Sequence, residues 1–249
     1  MGIAILILAL ELVILWLLSR RMTQNIYTAI FLLTTSRPVA ISFLSILLFP
    51  GTVIHELAHL FTAEILGVRT SGLTLVPEGI ENKDVRTGSV SIAQSDPIRR
   101  SVIGLAPIFV GLSTLGLISY FLPGVWHQVG LDAANGILFS HISIYYFLFA
   151  VYSLFAVSNT MFSSPEDMEG FWPVALVLTL IAVAAYIVGI RISLTDPVLT
   201  NIQSFFTAMA TNVGWVAGLN VLLFLLSKLM IAGVEKLTKR HLVPKGQLR

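Results

Sequence analysis

His55, Glu56 and His59 carry the strongest chemical signal in the 249-residue chain, within the run His55-Glu56-Leu57-Ala58-His59. Four residues apart on a helix, the two imidazoles share one face about a turn from each other and can offer two nitrogens to a single metal ion. Glu56 is offset from His55 by roughly 100° around the helix. That offset suits a general base acting on a water better than a third ligand. The surrounding residues are apolar, and ionisable groups in a membrane helix are costly, so three within five residues need a compensating partner such as a metal. A catalytic zinc takes three protein ligands and keeps one position open, so the third ligand must come from elsewhere. The chain has no cysteine, which excludes a thiolate site or a disulfide framework and leaves His and carboxylate as ligands. The competing readings of the same cluster are a helix–helix hydrogen-bond network, or an ion or proton path in a non-enzymatic channel or transporter.

A second polar stretch, Asn159-Thr160-Met161-Phe162-Ser163-Ser164-Pro165-Glu166-Asp167, closes a later apolar run. Glu166, Asp167 and Glu169 each offer a carboxylate able to coordinate zinc. Asn159 can donate to a substrate carbonyl or its oxyanion, or cap the end of the preceding span. Glu64, five residues after His59, falls off the ligand face and reads as interfacial. His141 reads as a partner in an interhelical hydrogen bond, His127 and His241 as loop and tail residues, and Lys228 as a snorkelling side chain. Gly104, Gly111 and Gly116 read as sites of close helix packing. Glu11, inside the first apolar run, has no assigned role.

The elements that must position these residues follow from composition. With 56% hydrophobic and 11% charged residues and a mean hydropathy of +0.88, the chain lacks the roughly 25% charge that a soluble domain carries. It is expected to be an all-α polytopic membrane protein of about six transmembrane helices with a short membrane-associated β-hairpin. A single membrane-embedded domain is expected, with a core at about 50–170 and flanking helices in 1–49 and 171–249. The expected spans are Ile3 to Leu18, Val39 to Gly67, Ser101 to Leu122, Ile137 to Ser158, Phe171 to Ile190 and Val213 to Ile231, judged against the roughly 20 apolar residues of a crossing. Thr23 to Ser36 is short for a crossing and reads as interfacial. Pro50-Gly51 is expected to kink or divide the second span, with Thr52 capping the following piece and Gly67 ending it. Alternating polarity over Leu73 to Pro77 and Gly88 to Gln94 predicts the hairpin. The net charge of +2 comes from Lys and Arg beside apolar spans, which points to the lipid bilayer as partner and to no nucleic acid. The same bias puts the Val68 to Arg100 loop and the tail in the cytoplasm, four crossings apart, with Pro123 to Asn135 outside.

Together, the His-Glu-x-x-His helix and the Asn159 to Asp167 stretch resemble the site-2 protease family of intramembrane metalloproteases. In that family an Asn, then a Pro, then an Asp followed closely by Gly supply the third ligand. The Asn-to-Asp interval matches, as does Pro165 two residues before Asp167. Gly104-Leu105-Ala106-Pro107 sits where the family has its Gly-Pro span, and Val68 to Gln94 where it has a membrane-associated β-segment, so the likeness runs from about Pro50 to Gly170. Two features depart from the pattern: Met168 and Glu169 separate Asp167 from Gly170, and no Asn follows the Gly-Pro pair. The resemblance implies Zn2+ held by His55, His59 and Asp167, with Glu56 as general base and Asn159 at the substrate carbonyl. It implies hydrolysis of a peptide bond in or near a transmembrane segment of a membrane-protein substrate. The expected setting is the plasma membrane of a prokaryote, with the site opening toward the cytoplasm. A different type of membrane zinc protease, with the same helix motif but a Glu as third ligand, is the rival within enzymes; the oligomeric state is not fixed by the sequence.

Overall fold

Among the described residues, apolar runs separated by short polar breaks fold into six helices: α1 (Gly2–Thr34), α2 (Arg37–Ile65), α3 (Pro97–Ala134), α4 (Ile142–Thr160), α5 (Phe171–Ile187) and α6 (Asp196–Thr238). The structure is a computed structural model that describes residues 2–75, 88–137, 139, 141–162, 167, 171–189, 196–239, 242–243 and 247–248. Among these residues, five helices are long and apolar enough to cross a membrane; α5, at 17 residues, is at the short end of the range that can span a bilayer. Strands β1 (Thr70–Thr74) and β2 (Ser89–Ile92) pair antiparallel, with Thr70 opposite Ile92 and Thr74 opposite Ser89. The register slips between Ser71 and Leu73, where Gly72 takes a φ of +70°, the conformation of a glycine bulge. Two short strands, β3 (Leu242–Val243) and β4 (Gln247–Leu248), pair in the tail. The chain is thus an all-α polytopic membrane protein with a small hairpin, as its composition predicts.

Several boundaries differ from the sequence reading, each for a local reason. Ile3 to Leu18 and Thr23 to Ser36 merge into the single helix α1, because Arg20 folds back over the Trp16 ring at 4.4 Å and Asn25 Nδ2 donates to Ser227 Oγ of α6 at 2.9 Å. Helix α2 runs unbroken through Pro50. Thr52 is therefore not a cap; its hydroxyl donates back to the Leu48 carbonyl at 3.3 Å. Beside the proline the Tyr152 hydroxyl donates to the Leu47 carbonyl at 3.0 Å, an instance of a neighbouring helix satisfying backbone that a membrane proline disturbs. Gly67 ends the element with φ +67°, as expected for a C-terminal glycine. Helix α3 continues through Pro123 to Ala134, so the expected span from Ser101 to Leu122 is extended by about three helical turns. Inside that helical extension Asp132 is buried and receives Ser143 Oγ and Gln128 Nε2, and its carboxylate lies 2.7 Å from His141 Nδ1. His141 therefore joins α3 to α4, the interhelical role read for it. Val76 and Pro77, the end of the expected first strand, lie outside the described residues, as do residues 78–87.

Helices α1 and α6 run parallel and meet in ascending order: Glu11 lies against Gly214, Asn25 bonds Ser227, and Ala29 and Leu32 pack with Val234. The end of α6 consequently lies beside the α1–α2 connection, whereas the hairpin follows the far end of α2. Four crossings between hairpin and tail would put both at one end of the bundle; the parallel α1–α6 pairing instead puts the end of α6 opposite the hairpin. Leu15, Leu115, Val157, Met161 and Val216 form the centre of the main core, drawn from α1, α3, α4, α6 and the residue that ends α4. Small residues set the closest approaches: a Cβ on Gly51 would overlap Thr160 Oγ1 and the Ala156 carbonyl of α4. Gly51→Val is expected to cost about 1–3 kcal/mol of stability through overpacking. Gly116→Ala, facing open space, should change it by less than about 0.5 kcal/mol; thermal unfolding in detergent micelles compares the two.

Candidate metal centre

The lower half of α2 brings His55 and His59 to one side, as the four-residue spacing requires. Their Nε2 atoms lie 3.2 Å apart. Asp167 arrives from beyond the end of α4 and sets Oδ1 3.5 Å from His59 Nε2 and Oδ2 4.0 Å from His55 Nε2. All three donor atoms fall within 4.8 Å of one another. A tetrahedral ion with bonds of about 2.0–2.1 Å needs neighbouring donors about 3.3–3.4 Å apart. The His–His and His59–Asp167 separations match that figure, and the His55–Asp167 separation closes to it with a small side-chain rotation. The donor set, two imidazoles and a carboxylate with a second carboxylate beside them, therefore fits a divalent transition metal. Asp167 and both histidines could hold it.

Backbone and glycines around the donors fix their orientation. The Ile103 carbonyl of α3 lies 2.9 Å from His59 Nδ1. Since a carbonyl only accepts, that nitrogen carries the hydrogen and Nε2 is left with its lone pair toward the other donors. His55 Nδ1 is buried, and the Thr160 backbone lies beside the ring. A Cβ on Gly104, the residue after Ile103, would overlap the Asp167 backbone carbonyl, so only glycine lets the ligand segment lie against α3. Helix α3 is itself set at its start by Asp96, which accepts from the Ile98 and Arg99 backbone N–H groups at 3.1 and 3.0 Å. The Arg99 N–H foremost holds this exposed carboxyl below the usual carboxylate range. Pro97 follows at the first helical position, where a missing N–H costs nothing.

Glu56 is buried and faces the residue that opens β2: a Cβ on Gly88 would stand 3.0 Å from Glu56 Oε1 and 3.0 Å from Thr52 Cγ2. The hairpin thus rests on the carboxylate beside the donors. Exposure grades outward, from 5% for the His59 side chain to 13% for His55 and 24% for Asp167, so Asp167 is the most open of the three donors.

Asn159 has a different setting. One residue before Thr160, it turns toward α1 and α6 and is buried. Its Nδ2 donates to the Phe155 carbonyl at 2.7 Å and to Asn220 Oδ1 at 2.9 Å. Asn220 Nδ2 donates to Ser158 Oγ, and the Ser19 hydroxyl to the Asn159 backbone carbonyl at 2.8 Å. Both amide hydrogens are thereby engaged in a polar cluster that ties α1, α4 and α6. Of the residues singled out in the sequence, His55, Glu56, His59 and Asp167 come together, while Asn159 binds helices to one another. Glu166, Glu169 and His241 lie outside the described residues; Glu64 and His127 are exposed, and Lys228 reaches along its own helix over the Phe224 ring. Ile103, Gly88 and Asn220 were not picked out by type or spacing, because their roles depend on a neighbour distant in the chain.

Elemental analysis of the purified protein is expected to find about one equivalent of divalent metal. His59→Ala and Asp167→Ala should each weaken binding at least tenfold, and Glu166→Ala and Glu169→Ala should leave it unchanged, since a three-ligand site depends on every donor. No family model matches the chain, and no curated protein or solved structure does either.

Proposed function

We propose that the protein is a zinc-dependent intramembrane protease of the site-2 type, hydrolysing a peptide bond in or near a transmembrane segment of a membrane-protein substrate. The observation that carries the reading is the convergence of His55, His59 and Asp167 on one point among apolar helices, with a buried carboxylate next to it. These three residues would hold the ion. Zinc bound by two imidazoles and a carboxylate supplies Lewis acidity that brings the pKa of water to about 7 and polarises a carbonyl. Glu56 Oε1 takes the proton from the attacking water and delivers it to the leaving amine. Gly88 brings the hairpin backbone against that carboxylate. A helical substrate has its carbonyls engaged and must unwind before attack. Among the described residues no third strand joins the two-stranded sheet, so an extended substrate segment can add to an edge as a strand. That β2 starts on Glu56 supports this use of the hairpin. For Asn159 to reach the substrate carbonyl, its amide would have to leave Asn220; in the packed arrangement it serves helix association.

The 3.2 Å approach of the two imidazole nitrogens also suits proton hand-over in a metal-free ion path. Purified wild-type protein devoid of zinc would favour that second reading. For the protease, Glu56→Gln should retain metal and lose cleavage of a single-pass test substrate by about 10²–10⁴-fold, the usual contribution of a general base. Wild-type rates in Glu56→Gln would rule the mechanism out. The setting belongs to the same proposal: a prokaryotic plasma membrane, with the hairpin, the Arg69 that precedes it and the Arg99 and Arg100 that begin α3 facing the cytoplasm. The cysteine-free background permits single-cysteine labelling at exposed positions on the two ends of α3. Asn135→Cys should react with an impermeant maleimide in intact cells, and Gln94→Cys only after lysis; the opposite pattern reverses the orientation.

A further inference from the structure

Three neighbours in α3, Ile103, Gly104 and Pro107, bear on the donor group without contributing a ligand. In an α-helix the N–H of each residue donates to the carbonyl four positions earlier. The donor owed to the Ile103 carbonyl would be the N–H of residue 107, and residue 107 is a proline within the helix, which has none. Ile103 and Pro107 are both almost fully buried, so water does not replace the missing donor. The group that meets the orphaned oxygen is His59 Nδ1, at 2.9 Å.

We infer that Pro107 is a positioning residue of the metal centre: by withholding a backbone N–H it reserves the Ile103 carbonyl for His59 Nδ1–H, and so fixes which nitrogen of His59 faces the ion. The inference rests on the metal centre of the proposed protease and extends it to a residue that touches neither ion nor substrate. With the hydrogen held on Nδ1, the neutral ring keeps its lone pair on Nε2, the atom 3.5 Å from Asp167 Oδ1 and 3.2 Å from His55 Nε2. An N–H at position 107 would draw the carbonyl back along the helix axis and share its lone pairs, loosening the ring and admitting the other tautomer. The next residue, Gly104, admits the Asp167 backbone on the same turn. One turn of α3 therefore orients one ligand by a hydrogen bond and seats another by leaving room for it.

The test uses the full-length protein in nanodiscs, with 15N-labelled histidine. In the metal-free wild type, the His59 nitrogen shifts should report a hydrogen fixed on Nδ1. Pro107→Ala should give a tautomer mixture and lower the affinity for Zn2+ and Co2+, measured by chelator competition, roughly 10–100-fold, as loss of an outer hydrogen-bond partner does. Replacing residue 107 with the α-hydroxy analogue of alanine creates an ester that also lacks the N–H, and should restore both readouts. Pro123→Ala, a change to an exposed interior proline of the same helix, should alter neither. The inference is overturned if Pro107→Ala keeps the wild-type tautomer and affinity, or if alanine and its ester analogue fall equally, since the ring's packing would then be what matters. Should Pro107→Ala not fold, the ester variant decides alone: wild-type behaviour supports the inference and impaired behaviour overturns it. A wild type that binds metal but cleaves no membrane protein would end the protease reading and leave the role of Pro107 intact, because both readouts are taken without substrate.

Discussion

Inside a bilayer no water is at hand to satisfy a backbone carbonyl or an ionisable side chain, so every such group must find its partner within the protein. Much of this structure is a response to that constraint. Thr114, Thr160 and Ser113 return their hydroxyls to carbonyls of the preceding turn, the usual disposition of such residues in helices. Tyr152 serves the backbone beside Pro50, His59 serves the backbone left open by Pro107, and Asp132 gathers Gln128, Ser143 and His141 where α3 meets α4. The donor group is the most demanding case. Two imidazoles and two carboxylates crowd one place between the helices, a donor group that could hold a metal ion.

The same constraint explains why glycine is so prominent near the centre. Lipid gives no hydrophobic drive for one helix to seek another, so association depends on close fit and on polar bonds between helices. Gly51 admits α4 against α2, Gly104 admits the Asp167 backbone against α3, and Gly88 admits the hairpin onto Glu56. Where fit alone does not hold, the Ser19, Ser158, Asn159 and Asn220 cluster supplies directional bonds among three helices.

Sequence made some of this legible and hid the rest for physical reasons. His55, Glu56 and His59 could be read together because helical periodicity turns spacing into geometry. Asp167 could not be joined to them by spacing, since its meeting with α2 depends on how α3 and α4 pack; resemblance alone pointed to it over Glu166 and Glu169. The hairpin was visible as alternation, but β1 begins earlier than its pattern suggests because Gly72 introduces a bulge. Arg20, Arg21 and Pro50 read as breaks when neighbours are ignored. In the fold they are accommodated, by Trp16 for Arg20 and by Tyr152 beside Pro50. Asn159 illustrates the limit most clearly: an amide beside a ligand segment suits catalysis or packing equally, and only the position of Asn220 distinguishes them.

The parallel course of α1 and α6 reaches beyond packing. Because the two helices point the same way, the end of α6 rests beside the α1–α2 connection. A partner fused behind α6 would therefore sit at the opposite end of the bundle from one fused ahead of α1, and the two could not reach each other without a linker as long as the helices themselves.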